Sequence, residues 1–196
     1  MDVTNESSEV KLDGRRQRGE QNRQAIIDAA LALIAEGCLA PTAQLISERA
    51  GITIRSLFRH FPDMESLFAA ANTEVRSRAV GTFTGGDHQG SLEERARLAL
   101  KRYCDGYQQE QNLILMTKAQ SWRYKVLREN YASLQEDLRR NLEAWIPEIR
   151  KSSDSELEFL HAVTSFEMWH RLRENQGLSQ TEVVEIMVDE LVNRLS

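Results

Sequence analysis

The chain has little cysteine, little histidine and no long apolar run, and each shortage removes a class of function. Two cysteines among 196 residues, Cys38 and Cys104, make neither a disulfide framework nor a metal cluster. Both read as small buried side chains, and nothing near them argues for the depressed pKa that a redox-sensing thiol needs. No stretch approaches the roughly 20 apolar residues of a membrane span. The opening MDVTNESSEVKLDG is acidic and polar; it does not resemble a secretory signal and is expected to be disordered. No alternating strand pattern occurs. Catalytic signatures are missing too: no Gly-x-Ser-x-Gly, no cysteine in a catalytic setting, and four histidines in all, His60, His88, His161 and His170. The glycine-rich GTFTGGDHQG at 81–90 lacks a following Lys-Ser or Lys-Thr and a preceding strand, so it reads as a linker and not as a phosphate cradle.

What the chain does have is a helix, a glycine turn and a second helix. Residues 42–62, TAQLISERAGITIRSLFRHFP, place Gly51 at a bend between two short amphipathic stretches, with Ile46 and Leu57 available to close a small core between them. Thr42 and Thr53 stand where N-caps belong. Pro62 ends the second helix and Asp63 can cap the next. Upstream, apolar residues at 26, 29, 30, 33 and 34 follow one helix face, and Gly37 marks its stop. This spacing is the one that sets a second helix into the DNA major groove.

The run RQAIIDAALALIAEGCLAPTAQLISERAGITIRSLFRHFPDMESLF resembles the DNA-binding region of the tetracycline-repressor (TetR) family. The resemblance is carried by IIDAAL, Gly37, Thr42, Ile46, Ala50-Gly51-Ile52-Thr53, Leu57-Phe58 and His60-Phe61-Pro62. It implies an all-α protein of about nine helices: an N-terminal three-helix helix-turn-helix domain and a C-terminal helical domain for ligand binding and dimerisation. We therefore expect an arm at 1–19, a DNA-binding domain at 20–66 and a ligand and dimerisation domain at 67–196. The resemblance further implies a cytoplasmic transcriptional regulator, a repressor released by a small molecule, without enzymatic activity, cofactor or metal. Its DNA partner would be a near-palindromic double-stranded operator.

Arg55, at the exposed start of the recognition helix, is the candidate for reading a base edge. Ser56 and Arg59 add a base or phosphate contact. Thr42, Gln44 and Thr53 are phosphate candidates, and His60 a phosphate contact or packing residue. Arg15, Arg16 and Arg18 can form an arm along the backbone or in the minor groove. Ile54 and Phe58 also face outward. They depart from the family pattern, which often has Lys or Arg at the first position and Tyr at the second, as Met64 departs from Lys. None of the three can pair with a phosphate as those residues do, so a shallower salt slope is expected. Charge alone would not suggest DNA. The net charge is −5, although residues 15–60 hold seven Arg against four acids.

Downstream, Ser91 with Glu94 and Ser179 with Glu182 form capping boxes, and Ser153 with Glu156, or Ser155 with Glu158, can cap another helix. These frame helices from 92, about 112–122, 127 to near Pro147, about 155–175 and 179–195. The last two are apolar around much of their girth, more than one buried stripe requires, which suggests a homodimer through both. Tyr103, Tyr107, Trp122 and Phe166 are the candidate lining of an effector pocket. Ligand binding would act through the fourth helix, which joins the two domains, by its differential affinity for two states.

Two other readings stand beside this one. Glu158-His161 and Glu167-His170 are Glu-x-x-His pairs, the spacing of metal-dependent helical-bundle enzymes. Nine residues apart on one helix they fall half a turn out of phase, which argues against a shared metal. The second is a helical ligand-binding or assembly protein with weakened DNA binding, to which Ile54, Phe58 and Met64 lend weight.

Overall fold

The computed structural model describes residues 6–83, 85–86 and 88–196, with side chains from residue 17 onward except 77–80. Among these residues every regular element is helical: α1 (Glu6–Ala35), α2 (Ala43–Ala50), α3 (Ile54–His60), α4 (Met64–Phe83), α5 (Leu92–Gln120), α6 (Lys125–Trp145), α7 (Asp154–Val163), α8 (Phe166–His170) and α9 (Gln180–Leu195). A 3-10 turn at Pro147–Lys151 and a π turn at Arg171–Asn175 complete them. Helix α1 begins inside the stretch expected to be disordered.

The chain forms two compact units. The first comprises residues through Glu74 together with Asn112–Glu129; the second comprises Val75–Gln111 and Asn130–Ser196. The division therefore falls within α4, later than the expected boundary after residue 66, and one part of the C-terminal sequence belongs to the N-terminal unit.

In the first unit, α1 buries Ile26, Ile27, Ala29 and Ala30 against Ile46 of α2, Leu57 of α3, Phe61, and Leu67 and Ala71 of α4. The 3.6-residue period puts these apolar groups on one side of each helix. Gly37 ends α1 with φ +93°, its amide donating to the Ile34 carbonyl (2.9 Å) and that of Cys38 to the Leu33 carbonyl (3.0 Å). A second cluster joins Ile34 and Phe68 to Met116 of α5 and Leu127 of α6. Phe68 meets Tyr124 edge-on at 5.0 Å, and Glu65 accepts from the Val126 amide at 2.7 Å.

In the second unit, the rings of Phe83, Tyr103, Tyr107, Phe166 and Trp169 pack in edge-on and tilted pairs with centroids 5.6–6.3 Å apart. Gly106 makes room for Phe83: a Cβ at this position would lie 2.4 Å from the Phe83 ring. Arg95, almost fully buried, donates to the Trp145 carbonyl (2.7 Å) and pairs with Glu148 (2.6 Å). Buried charge of this kind is tolerated because it is paired and hydrogen-bonded.

Two expected elements differ, and one ends where its proline predicts. The helix beginning at Leu92 and the short helix expected at 112–122 are one continuous helix, α5. Helix α6 ends at Trp145, and Pro147 opens the 3-10 turn, where its missing amide is no loss. The helix expected over 155–175 is broken. The Thr164 hydroxyl donates to the Leu160 carbonyl (3.0 Å), and Ser165 starts α8 afresh by accepting from the Met168 amide (3.3 Å). The Thr164 carbonyl left over by the break accepts from the buried Tyr107 hydroxyl at 2.9 Å. The Ser179–Glu182 capping box forms in full at the start of α9.

Candidate nucleic-acid interface

Helices α2 and α3 are each started by a threonine. The Leu45 amide donates to Thr42 Oγ1 at 3.3 Å and the Ser56 amide to Thr53 Oγ1 at 3.1 Å. Both hydroxyls keep an O–H to donate outward. Between the helices Gly51 takes φ +67°, a left-handed conformation that costs glycine nothing. Its amide donates to the Glu48 carbonyl (3.2 Å) and that of Ile52 to the Ser47 carbonyl (3.0 Å), closing α2 and turning the chain into α3.

One side of α3 is held in the core by Leu57, whose exposure is 0%. Arg55 and Arg59 each lie two positions away, about 200° around the helix, and both are exposed. Arg55 makes no hydrogen bond or ion pair among the described residues, while Arg59 donates to Ser56 Oγ at 3.1 Å. Ile54 and Phe58 are exposed as well, at 37% and 43%. His60 is half-buried, and its Nε2 has no hydrogen-bond partner among the described residues.

Other sequence candidates stand differently. Gln44 is exposed and bonded to Glu48 within its own helix. Arg18 is exposed on α1. The side chains of Arg15 and Arg16 lie outside the described residues. Two further arginines of the basic region are occupied. Arg49 pairs with Glu36 at 2.6 Å, which holds that carboxyl below its usual range. Arg23 lies over the Phe61 ring, 4.9 Å from its centroid. The usable positive charge of α3 is thus Arg55 and Arg59. Sequence reasoning passed over Leu45, exposed on α2; its place beside the core residue Ile46 was the available signal.

Of the four aromatic residues expected at a pocket, Tyr103, Tyr107 and Phe166 come together in the buried cluster of the second unit, whereas Trp122 is 78% exposed and belongs to the first. The Tyr103 hydroxyl donates to the Leu138 carbonyl at 2.7 Å. Burial pushes both tyrosine hydroxyls well above their ordinary pKa, so they remain neutral donors. Cys104 is fully buried, and burial raises its thiol to about 12. The acidic members of the two Glu-x-x-His pairs are engaged elsewhere: Glu158 with Arg139, Glu167 with Tyr131. His170 lies against the Phe166 ring at 5.4 Å. Among the described residues no three His, Cys, Asp or Glu side chains gather as a metal site would require.

A capped, glycine-turned pair of helices that exposes two arginines on one face is a helix-turn-helix domain. Residues 26–71 match the family of bacterial regulatory proteins, tetR family. An uncharacterized HTH-type transcriptional regulator of Mycobacterium bovis is 37% identical over 71 residues. A counterpart in Mycobacterium tuberculosis matches equally. The matched stretch covers 36% of this chain and 36% of each relative. The fold agrees over a longer span. A tetR-family transcriptional regulator from Streptomyces coelicolor superposes with a TM-score of 0.66 at 19% identity, covering 86% of this chain and 78% of that one. A TetR transcriptional regulator from Rhodococcus sp. RHA1 gives 0.51 at 18% identity, covering 89% and 94%. No helix in the described residues is long and apolar enough to cross a membrane.

Proposed function

We infer that this protein is a sequence-specific DNA-binding transcriptional regulator, a non-enzymatic cytoplasmic repressor released by a small-molecule effector. The observation that carries the reading is the presentation of Arg55 and Arg59 on the side of α3 opposite Leu57. An α-helix fits the major groove, and an arginine there can pair in bidentate fashion with the O6 and N7 atoms of guanine. Thr42, Thr53, Gln44, Ser56 and His60 surround the helix as phosphate or base contacts, with Arg18 and its neighbours Arg15 and Arg16 as an arm.

The protein acts as a homodimer through α7, α8 and α9 on a near-palindromic operator whose half-sites lie one helical turn apart or a multiple of it. Exposed Phe159 and Ile186 support this: a partner gives such groups an apolar surface to meet. The effector acts on the second unit, where Tyr103 and Tyr107 pack against Phe83, the last residue of α4, and Phe166 packs against Tyr107. Because α4 runs on from the helix-turn-helix unit, a ligand that favours one packing of this cluster alters operator affinity. Exposed Ile54 and Phe58, which can make no phosphate contact, favour a second reading, a helical ligand-binding or assembly protein with weakened DNA binding.

Gel-shift titration of genomic fragments at stepped salt separates the two. The regulator reading requires retarded fragments whose affinity falls linearly with salt on logarithmic axes and whose footprint is near-palindromic. Fragments that all migrate freely at micromolar protein would support the second reading.

A further inference from the structure

The recognition helix presents two different stripes. Arg55 and Arg59 are four residues apart, as are Ile54 and Phe58, and residues at that interval share a helix face. The second stripe is apolar and open to solvent. Neither side chain carries a hydrogen-bonding group. Placed in the major groove, it can take no phosphate and no polar base edge; it would only strip water from them without replacing the lost hydrogen bonds. The apolar feature of that groove is the 5-methyl group of thymine.

We propose that Ile54 and Phe58 are specificity-determining residues that read thymine methyl groups, so that each operator half-site carries thymine beside the base pair read by Arg55. The inference rests on the regulator reading and adds the chemistry of the sequence that is read. Arg55 pairs with its base edge and Arg59 supplies charge complementarity to the phosphates flanking the groove, while the apolar stripe adds discrimination at the neighbouring thymine. Cytosine at the same position has no methyl and leaves the apolar stripe without its contact.

Removal of the methyl alone is the test. The full chain is used to select duplexes from a random library, and its affinity for the selected site is measured by fluorescence anisotropy with thymine, and then with deoxyuridine, at each invariant position. Burial of one methyl is worth about 0.8 kcal/mol, so uracil at the contacted thymine should weaken binding about fourfold, with no change at invariant positions away from the stripe. Ile54→Ala and Phe58→Ala, both at exposed positions that leave the core intact, should bind the thymine and uracil duplexes alike at the position each side chain covers. Equal binding of both duplexes by the unaltered chain overturns the proposal and leaves the regulator reading standing. A fourfold loss that persists in both variants assigns the methyl to another side chain and also overturns it. A selection that enriches nothing sinks the regulator reading and this inference together.

Discussion

The side-chain amide of Asn112 donates to the backbone carbonyl of Ala35 at 2.7 Å. That carbonyl belongs to the last turn of α1, where no helical amide remains to meet it. Gln120, two turns further along α5, does the same for the Leu39 carbonyl at 3.2 Å. A segment from the middle of the sequence thus closes the end of the first helix, and the helix-turn-helix unit is incomplete without it. Asn112→Ala should lower stability by about 1 kcal/mol, the ordinary worth of one such bond, read as a lower denaturant midpoint at unchanged slope.

Much of the fold was legible because its signals are local. Thr53, Gly51, Gly37 and the Ser179–Glu182 box fix helix ends through bonds spanning a few residues, and the 26–34 periodicity names the buried face of α1. The illegible parts depend on distant partners. Helix α5 looked divided because its apolar face serves two units: Tyr103 and Tyr107 are buried in one, Met116 in the other, with the polar run Gln108 to Asn112 between them. The break before Phe166 needs the Tyr107 hydroxyl, 57 residues away. At the candidate interface, outward placement of Arg55, Ile54 and Phe58 followed from the phase set by Leu57. Loss of Arg49 to Glu36 and of Arg23 to Phe61 did not, since both pairings are tertiary.

A Cβ on Gly51 would meet nothing within 4 Å, yet the φ of +67° remains costly for any residue that carries one. Gly51→Ala should therefore destabilise the chain by about 1–2 kcal/mol through the backbone alone. Thermal unfolding measures this. Gly51→Asn should cost less, because asparagine tolerates the left-handed region.

Tyr107→Phe keeps the ring and removes the donor to the Thr164 carbonyl, both groups being buried. An unsatisfied buried acceptor costs about 1–3 kcal/mol. The loss should show in chemical denaturation, and hydrogen exchange should quicken around the α7–α8 break.

Acid should weaken the fold in two stages. Burial, aided by Arg139, depresses the pKa of His161 below its ordinary 6.5. The unfolded chain then binds more protons than the folded one as pH falls through that region, so stability declines with acidification. Glu148 is lowered by its hydrogen bonds from Arg95; its contribution is present above the usual carboxylate range and is lost as pH falls through it. Denaturation midpoints measured from pH 8 to pH 4 should fall throughout, and His161→Phe should flatten the upper stage while leaving the lower one.

Buried Cys104, with its thiol raised to about 12, should resist alkylation at neutral pH until the chain unfolds, while half-buried Cys38 reacts first. Mass spectrometry of the labelled native protein should find Cys38 modified and Cys104 intact.

The central claim is that α3 reads duplex sequence through Arg55. Its most direct test is the ratio of affinities, at one fixed salt concentration, for a selected site and for the same duplex scrambled. The account predicts a preference of at least about a thousandfold for the selected site, reduced in Arg55→Ala by about 1–3 kcal/mol of lost discrimination at a single base position. A ratio near one for the unaltered chain, or an Arg55→Ala chain that discriminates as well as its parent, would contradict it.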